Sequence, residues 1–408
     1  MRRSRFIRLF STLMSVNPPP RGKPIDIEEL KRLKQAKKEA KKALNQSKPP
    51  PPPPPKPLRR DFIRVNDQGH RHPIRVMSFN ILAQTLIKRE LFPDSGDVLK
   101  WKTRKQMILE EIEFYDADIM SLQEVDNVDT FYKEALSKLG YELTFYHYPS
   151  KHHGCAIAFK KEKFSQVKYA TIDYNTDPLC PPSTLTGNVA QMLALTSKEH
   201  PNTGFVIGNT HLYWRPSCNY ERLRQTVIFV NKLFEFKSEL DDDIQWISML
   251  LGDFNSTPDD PVYGILTDHA LSDDHIQDLN KSLMVTLTNQ GESDEEEEGK
   301  LENSNGVSID PDAVISVNKL VSLYKGGQWK SVYSSIAKVQ PDQSGLLGEP
   351  KFTNYTAAFK GPLDYMFIQH DMHIKNILLL PSEDNLKPSL PNRNFGSDHL
   401  CLVADLEF

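Results

Sequence analysis

The chain has 408 residues, 38% hydrophobic and 25% charged, with a formal net charge of −4, enough for a sizeable core in one large domain or two to three average ones. No apolar run approaches the roughly 18 residues needed to cross a bilayer, so a soluble protein with no membrane contact is expected. The four cysteines (Cys155, Cys180, Cys218, Cys401) are widely spaced without a CxxC pair, which argues against a zinc site and a disulfide framework and for a reducing compartment.

The charge is unevenly spread. "MRRSRFIRLFSTLMS" carries Arg2, Arg3, Arg5 and Arg8 with no acid before Asp26, and Phe6, Ile7, Phe10, Leu13 and Met14 can share one helical face. A mitochondrial transit peptide looks like this. The alternatives are a basic leader or a later start at Met14, with a cytoplasmic and nuclear location. "DIEELKRLKQAKKEAKKAL" reads as a highly charged solvated helix. The prolines Pro49 to Pro55 favour an extended polyproline spacer, either a plain tether or a ligand for an SH3 or WW module. Residues 1–72 are therefore expected to be a disordered leader and linker, and their deletion to leave catalysis nearly intact.

The folded body, 73–408, is expected to begin at Ile74 with the strand "IRVMSFNIL". Helical spacing follows over Trp101 to Tyr115, then the strand "ADIMSLQEV" and a helix over Thr130 to Leu139. "ELTFYHY", "CAIAFK", "VKYATIDY", "NVAQMLALT" and "TGFVIGNTHL" are successive strands. Tyr220 to Leu240 is a long amphipathic helix, and "WISMLLGDFN", "LDYMFI", "IKNILLL" and "LCLVADLEF" complete the strands. Many strands with a few outer helices predict an α/β sandwich of two packed sheets covered by helices. Residues 289–308, which include "GESDEEEEGKLENSNG", read as a disordered acidic insertion.

Polar residues recur at the ends of these apolar strands: Asn80, Glu124, His211, Asp253 with Asn255, Asp364, and the pair Asp398-His399. Any one of them alone would read as a cap or turn residue. Together they predict a cleft lined by carboxylates, amides and imidazoles. Hard carboxylate oxygens suit Mg²⁺, with Glu124 as ligand and Asn80 orienting it or adding an amide oxygen. A metal so held would polarise a phosphoryl oxygen. Asp253 is the expected base, Asn255 the group that binds phosphate or orients water, and His399 and His211 the donors to non-bridging oxygens. Asp398 is expected to fix the tautomer of His399 and favour its charged form.

"SFNILAQ", "LQEVD", "NTHLYW", "GDFNSTP", "LDYMF" and "SDH" resemble the serial motifs of the exonuclease/endonuclease/phosphatase superfamily, across residues 74–408. The resemblance implies a DNase I-like four-layer sandwich. "SFNILAQTL" and "FTNYTAAFKGPLDYMF" are similar to the nocturnin and carbon-catabolite-repression deadenylase branch, and "LIKRELFPDSGDVLKW" with "YERLRQT" to its Ngl-type RNA exonucleases. That likeness implies Mg²⁺ at Glu124 and Asn80, with Mn²⁺ able to substitute. It implies chemistry by Asp253, Asn255, His399, Asp398, His211 and Asp364. Phe359 would stack on a base beside Pro216, at about 1–3 kcal/mol per base, unless it is a core aromatic. Arg215, Arg222, Arg224 and Lys360 would contact the RNA backbone, although for Arg222 and Arg224 a solvated helix face is the favoured expectation. The expected activity is 3′→5′ hydrolysis of single-stranded RNA tails by a monomer. The alternative is removal of a 2′-phosphate from a dinucleotide such as NADPH.

Overall fold

The computed structural model describes residues 27–46, 53–66, 73–267, 269–288, 309–369 and 372–408. The presequence-like leader, the prolines Pro49 to Pro52 and the acidic insertion 289–308 lie outside the described residues. The chain forms two units, Met1–Pro54 and Pro55–Phe408. In the first, a helix spans Ile27–Gln46 and is exposed along residues 31–39. Among the described residues no helix is long and apolar enough to cross a membrane.

The second unit is built on two sheets. Its strands in chain order are β1 (Phe62–Arg64), β2 (Pro73–Asn80), β3 (Ile119–Val125), β4 (Tyr141–Tyr146), β5 (Gly154–Lys160), β6 (Phe164–Asp173), β7 (Val189–Ser197) and β8 (Thr203–His211). They continue as β9 (Gln245–Asp253), β10 (Lys330–Ser331), β11 (Asn354–Tyr355), β12 (Lys360–Gly361), β13 (Asp364–Ile368), β14 (His373–Leu378) and β15 (Leu402–Glu407). One sheet has the order β1-β14-β15-β2-β3-β5-β4 and the other β10-β13-β9-β8-β7-β6, while β11 and β12 form a separate hairpin. Among the described residues only β2–β3 and β8–β9 pair in parallel. A parallel neighbour needs a crossover, and the two supply it with the helices Trp101–Tyr115 and Asn219–Ser238.

Alternation within each strand explains the layers. Ile74 and Val76 of β2, Met249 and Leu251 of β9, and Leu402, Ala404 and Leu406 of β15 fill one core between the sheets. The residues in between, Met77, Phe79 and Val403, join Ile108 and Ile112 of the first helix in a second core. Leu250 and Phe367 join Leu223, Val227 and Leu233 of the second helix in a third. Strands covered on both faces read as continuous apolar runs, which is why the strands were legible. The result is the expected four-layer α/β sandwich.

The boundary expected at residue 73 is corrected. Residues 55–66 belong to the compact unit: β1 pairs antiparallel with β14, and Arg60 is buried against Glu111 at 3.3 Å. "FIRV" is too short to announce a strand from its own pattern, and its pairing partner lies over 300 residues away.

Candidate active site

β2 ends at Asn80, whose side chain is fully buried. Its Nδ2 donates to Glu124 Oε1 at 3.0 Å and to Asp253 Oδ2 at 2.9 Å, while its Oδ1 accepts the Leu82 N–H at 3.0 Å. Glu124 comes from one sheet and Asp253 from the other, so one amide joins the carboxylates of both. The amide oxygen accepts one backbone N–H and keeps a second lone pair, so Asn80 orients both carboxylates and has an oxygen left for an ion beside them.

Glu124 has φ 54° and sits where the β3–β5 register shifts between Leu122 and Val125. Such a backbone costs roughly 1–3 kcal/mol and persists where its surroundings enforce it. Here the Asn80 amide holds Oε1 and the Ala83 N–H holds Oε2 at 3.0 Å. Burial pushes this carboxyl up, but His211, His153 and the Asn80 amide outweigh burial and leave it below its usual range.

Asp253 follows Gly252, whose φ is 153° and where a Cβ would lie 2.1 Å from Thr210 O; only glycine lets the strand turn there. Asp253 Oδ1 accepts the Asn255 N–H at 2.9 Å, and Oδ2 lies 3.6 Å from His211 Nε2 and 3.7 Å from His399 Nε2. Burial and the nearby Asp364 raise the Asp253 carboxyl, against the pull of both imidazoles. Asn255 donates from Nδ2 to Leu212 O at 2.9 Å, tying the β9 end to the chain just after His211.

His399 Nδ1 is 2.8 Å from Asp364 Oδ2, which also accepts from Thr353 Oγ1 at 2.6 Å. Burial disfavours the charged ring, but Asp364, Asp398 and Asp253 outweigh it and hold the imidazole protonated well above its usual range. Asp364, not Asp398, thus makes the hydrogen bond expected to fix the His399 tautomer, while Asp398 favours the charged ring without bonding to it. The Asp398 oxygens accept from Ser397 Oγ at 3.4 Å and from Asn354 Nδ2 at 3.5 Å. Burial pushes the Asp398 carboxyl up to about 6, against the pull of His399.

The structure therefore brings together Asn80, Glu124, His211, Asp253, Asn255, Asp364 and His399, with Asp398 at the margin. It adds His153, which the sequence reading passed over. Burial pushes this imidazole down to about 4, against the attraction of Glu124. With Lys151, Asn188 and His211 it lines a small cavity beside the carboxylates. "HHGC" at the start of β5 was the available signal.

Phe359 is 39% exposed on the β11–β12 turn, so it is not a core aromatic. That hairpin is bonded to the His399 segment through Tyr355 N to Asp398 O at 3.1 Å and Leu400 N to Thr353 O at 2.7 Å. Lys360 Nζ donates to Tyr355 OH at 3.0 Å and lies over the Tyr355 ring. Arg215 and the exposed Pro216 follow His211, and Trp214 beside them is also exposed. Arg222 and Arg224 are corrected: both are buried. Arg222 donates to Pro216 O at 3.1 Å and to Tyr213 O at 3.3 Å, shaping that loop, and Arg224 pairs with Glu221 at 2.6 Å.

The donor set suits a hard cation. Asp364 Oδ1 is buried without a hydrogen-bond partner. Ligand atoms of Asp253, Asp364 and His399 lie within 4.8 Å of one another. His399 Nδ1 is engaged by Asp364 Oδ2 at 2.8 Å, so that ring nitrogen is already taken. The carboxylate of Glu124, kept ionised and oriented by two donors, is the better anchor for a divalent ion.

Comparison with known proteins finds relatives in sequence and in fold. The RNA exonuclease NGL2 of Saccharomyces cerevisiae is 32% identical over 405 residues, covering 82% of this chain and 78% of that protein. The solved structure of ANGEL2, described as a 2′,3′-cyclic phosphatase, superposes with a TM-score of 0.64 at 26% identity, over 86% of this chain and 98% of that one. The human nocturnin catalytic domain superposes with a TM-score of 0.55 at 27% identity, over 86% and 97%. The profile of the Endonuclease/Exonuclease/phosphatase family matches residues 77–399. With its strand-end motifs converging on one cleft as that resemblance implied, the chain belongs to the Endonuclease/Exonuclease/phosphatase family.

Proposed function

We propose that the chain is a Mg²⁺-dependent 3′→5′ exoribonuclease that hydrolyses single-stranded RNA and releases 5′-nucleotides, shortening poly(A) tails or trimming RNA 3′ ends. The observation that carries this reading is the single buried amide of Asn80, bonded at once to Glu124 and Asp253, with the charged His399 beside them. Glu124 would hold the ion, Mg²⁺ or Mn²⁺ in its place, and the ion when bound would offset charge on the phosphoryl oxygens. Asp253 takes the proton of the attacking water; its raised carboxyl makes it a stronger base near neutral pH. Asn255 orients that water or the phosphate. His399, charged by Asp364, donates to a non-bridging oxygen, and His211 donates from the other side of Asp253. Phe359 offers a face for a base, and Arg215 and Lys360 contact the backbone phosphates. The likeness to a protein named an RNA exonuclease supports RNA as substrate.

A second reading, removal of a terminal phosphate from a dinucleotide such as NADPH, is favoured by the structural likeness to ANGEL2 and nocturnin. Labelled oligo(A) and NADPH assayed side by side separate the two. Ladder-wise shortening from the 3′ end is expected, abolished by EDTA and restored by Mg²⁺. Phosphate release from NADPH without shortening of the RNA would reject the nuclease.

A further inference from the structure

A buried cation links the two halves of this site. Arg104 lies in the first turns of the Trp101–Tyr115 helix and is completely buried. Its Nη2 donates to Ile81 O at 2.6 Å and to Leu82 O, and its Nη1 to Gln84 Oε1 at 3.2 Å. Its Nε donates in the other direction, to Gly396 O at 2.7 Å. The first group of acceptors lies in the loop that follows Asn80 and presents the Ala83 N–H to Glu124. The last lies two residues before Asp398.

Other contacts show how closely the two loops are held. Ser397 Oγ donates to Asn80 O at 2.7 Å. A Cβ on Gly396 would lie 3.1 Å from Met107 Cβ and 3.3 Å from Arg104 O, so this loop lies flush against the helix that carries the arginine. Leu82 has φ 55°, so the other loop is bent where the guanidinium grips it. Carbonyl and amide oxygens, not a carboxylate, take all of these donors. A buried cation so partnered is costly to keep, and a planar five-donor fork reaches two loops at once as an ammonium does not.

We propose that Arg104 is a positioning residue that staples the Asn80–Glu124 half of the active site to the Asp398–His399 half and so sets their separation. The proposal rests on the catalytic reading of those halves. Arg104 touches no reacting atom. It acts through Ala83 and Asn80 on Glu124, and through Gly396 on His399.

The test compares wild type with Arg104→Lys and Arg104→Gln in the full chain, by hydrogen–deuterium exchange over 80–86 and 393–399 and by steady-state kinetics. Exchange should rise in both segments together in each variant. kcat should fall about 10–100-fold, as expected for a misplacement near 1 Å, with KM within about threefold and Arg104→Lys between wild type and Arg104→Gln. If Arg104→Gln does not fold, Arg104→Lys carries the test. Loosening of one segment alone, or of neither, or an unchanged kcat, or a loss confined to KM, overturns the staple. A wild-type protein inactive on both RNA and NADPH would overturn the nuclease reading alone; the exchange pattern, which needs no substrate, still decides whether Arg104 joins the two loops.

Discussion

Three carboxylates surround the ring of His399, yet a hydrogen bond at 2.8 Å is made by Asp364 alone. Asp364→Asn should therefore lower kcat by about 10²–10³-fold, within the range for acid–base groups. It should also move the alkaline limb of the pH–rate profile to lower pH, because a raised imidazole pKa falls when its anionic partner is removed. Asp398→Asn should cost about tenfold or less and move that limb the same way but by less, since it loses charge near the ring but no hydrogen bond to it. Equal losses from the two would refute the assignment of Asp364 as the direct partner. Glu124→Gln keeps the shape and both hydrogen-bonded oxygen positions only in part, and removes the charge. Turnover should drop by about 10³-fold or more, with titrated Mn²⁺ binding weakened in parallel. Most of these side chains were legible as strand-end polar residues, because an apolar run that stops at a carboxylate is conspicuous in one dimension. Their pairing was not. Asp398 precedes His399 directly, whereas the working partner is on another strand, opposite Asp253 in the β13–β9 register. His153 and Arg104 were missed for a related reason: each sits in a stretch whose local pattern is explained without it.

The short segment 55–66 is the element on which sequence and structure differ most. Arg60 Nη2 donates to Cys401 O at 2.9 Å and to Glu111, Arg60 N donates to Tyr115 OH at 2.9 Å, and Leu58 N donates to Asn394 O at 2.9 Å. The segment thus straps the stretch that carries Asp398-His399. Removing residues 1–54 should leave melting temperature and kcat essentially unchanged. Removing 1–66 strips Arg60 and leaves Glu111 buried without its cation, which should cost about 3–5 kcal/mol. Urea melts of both truncations measure this, and equal stability would refute the strap. The deletion of 1–72 that the sequence suggested would be harmless is thus expected to be damaging. The helix Asp273–Thr288 also went unread. It buries Leu279, Ser282 and Thr286, and Ile276 and Leu283 pack half-buried on the same core, a stripe that the reading of the sequence passed over. The central strands and the two crossover helices were legible because each buries a whole face.

At the scale of the molecule, a buried acid outside the site gives stability a pH dependence. Glu349 is fully buried, accepts from Tyr263 OH at 2.8 Å, and is pushed up by burial to about 7. Between the ordinary carboxyl range and about 7 the folded chain holds a proton that the unfolded chain has lost, so stability falls as pH rises through that window. Glu349→Gln should therefore stabilise the protein by about 3 kcal/mol at pH 8, and by almost nothing at pH 4. Thermal melts at the two pH values check this, and a variant less stable than wild type at pH 8 would refute it. The linear order of apolar runs was enough to determine the α/β sandwich and which polar residues would gather at one rim, since strands buried on both faces have few other ways to pack. Which carboxylate serves His399, where the folded unit begins and which arginine binds the two halves of the rim depend on contacts between residues tens to hundreds of positions apart. No local pattern encodes such contacts; they exist only once the sheets have closed on each other.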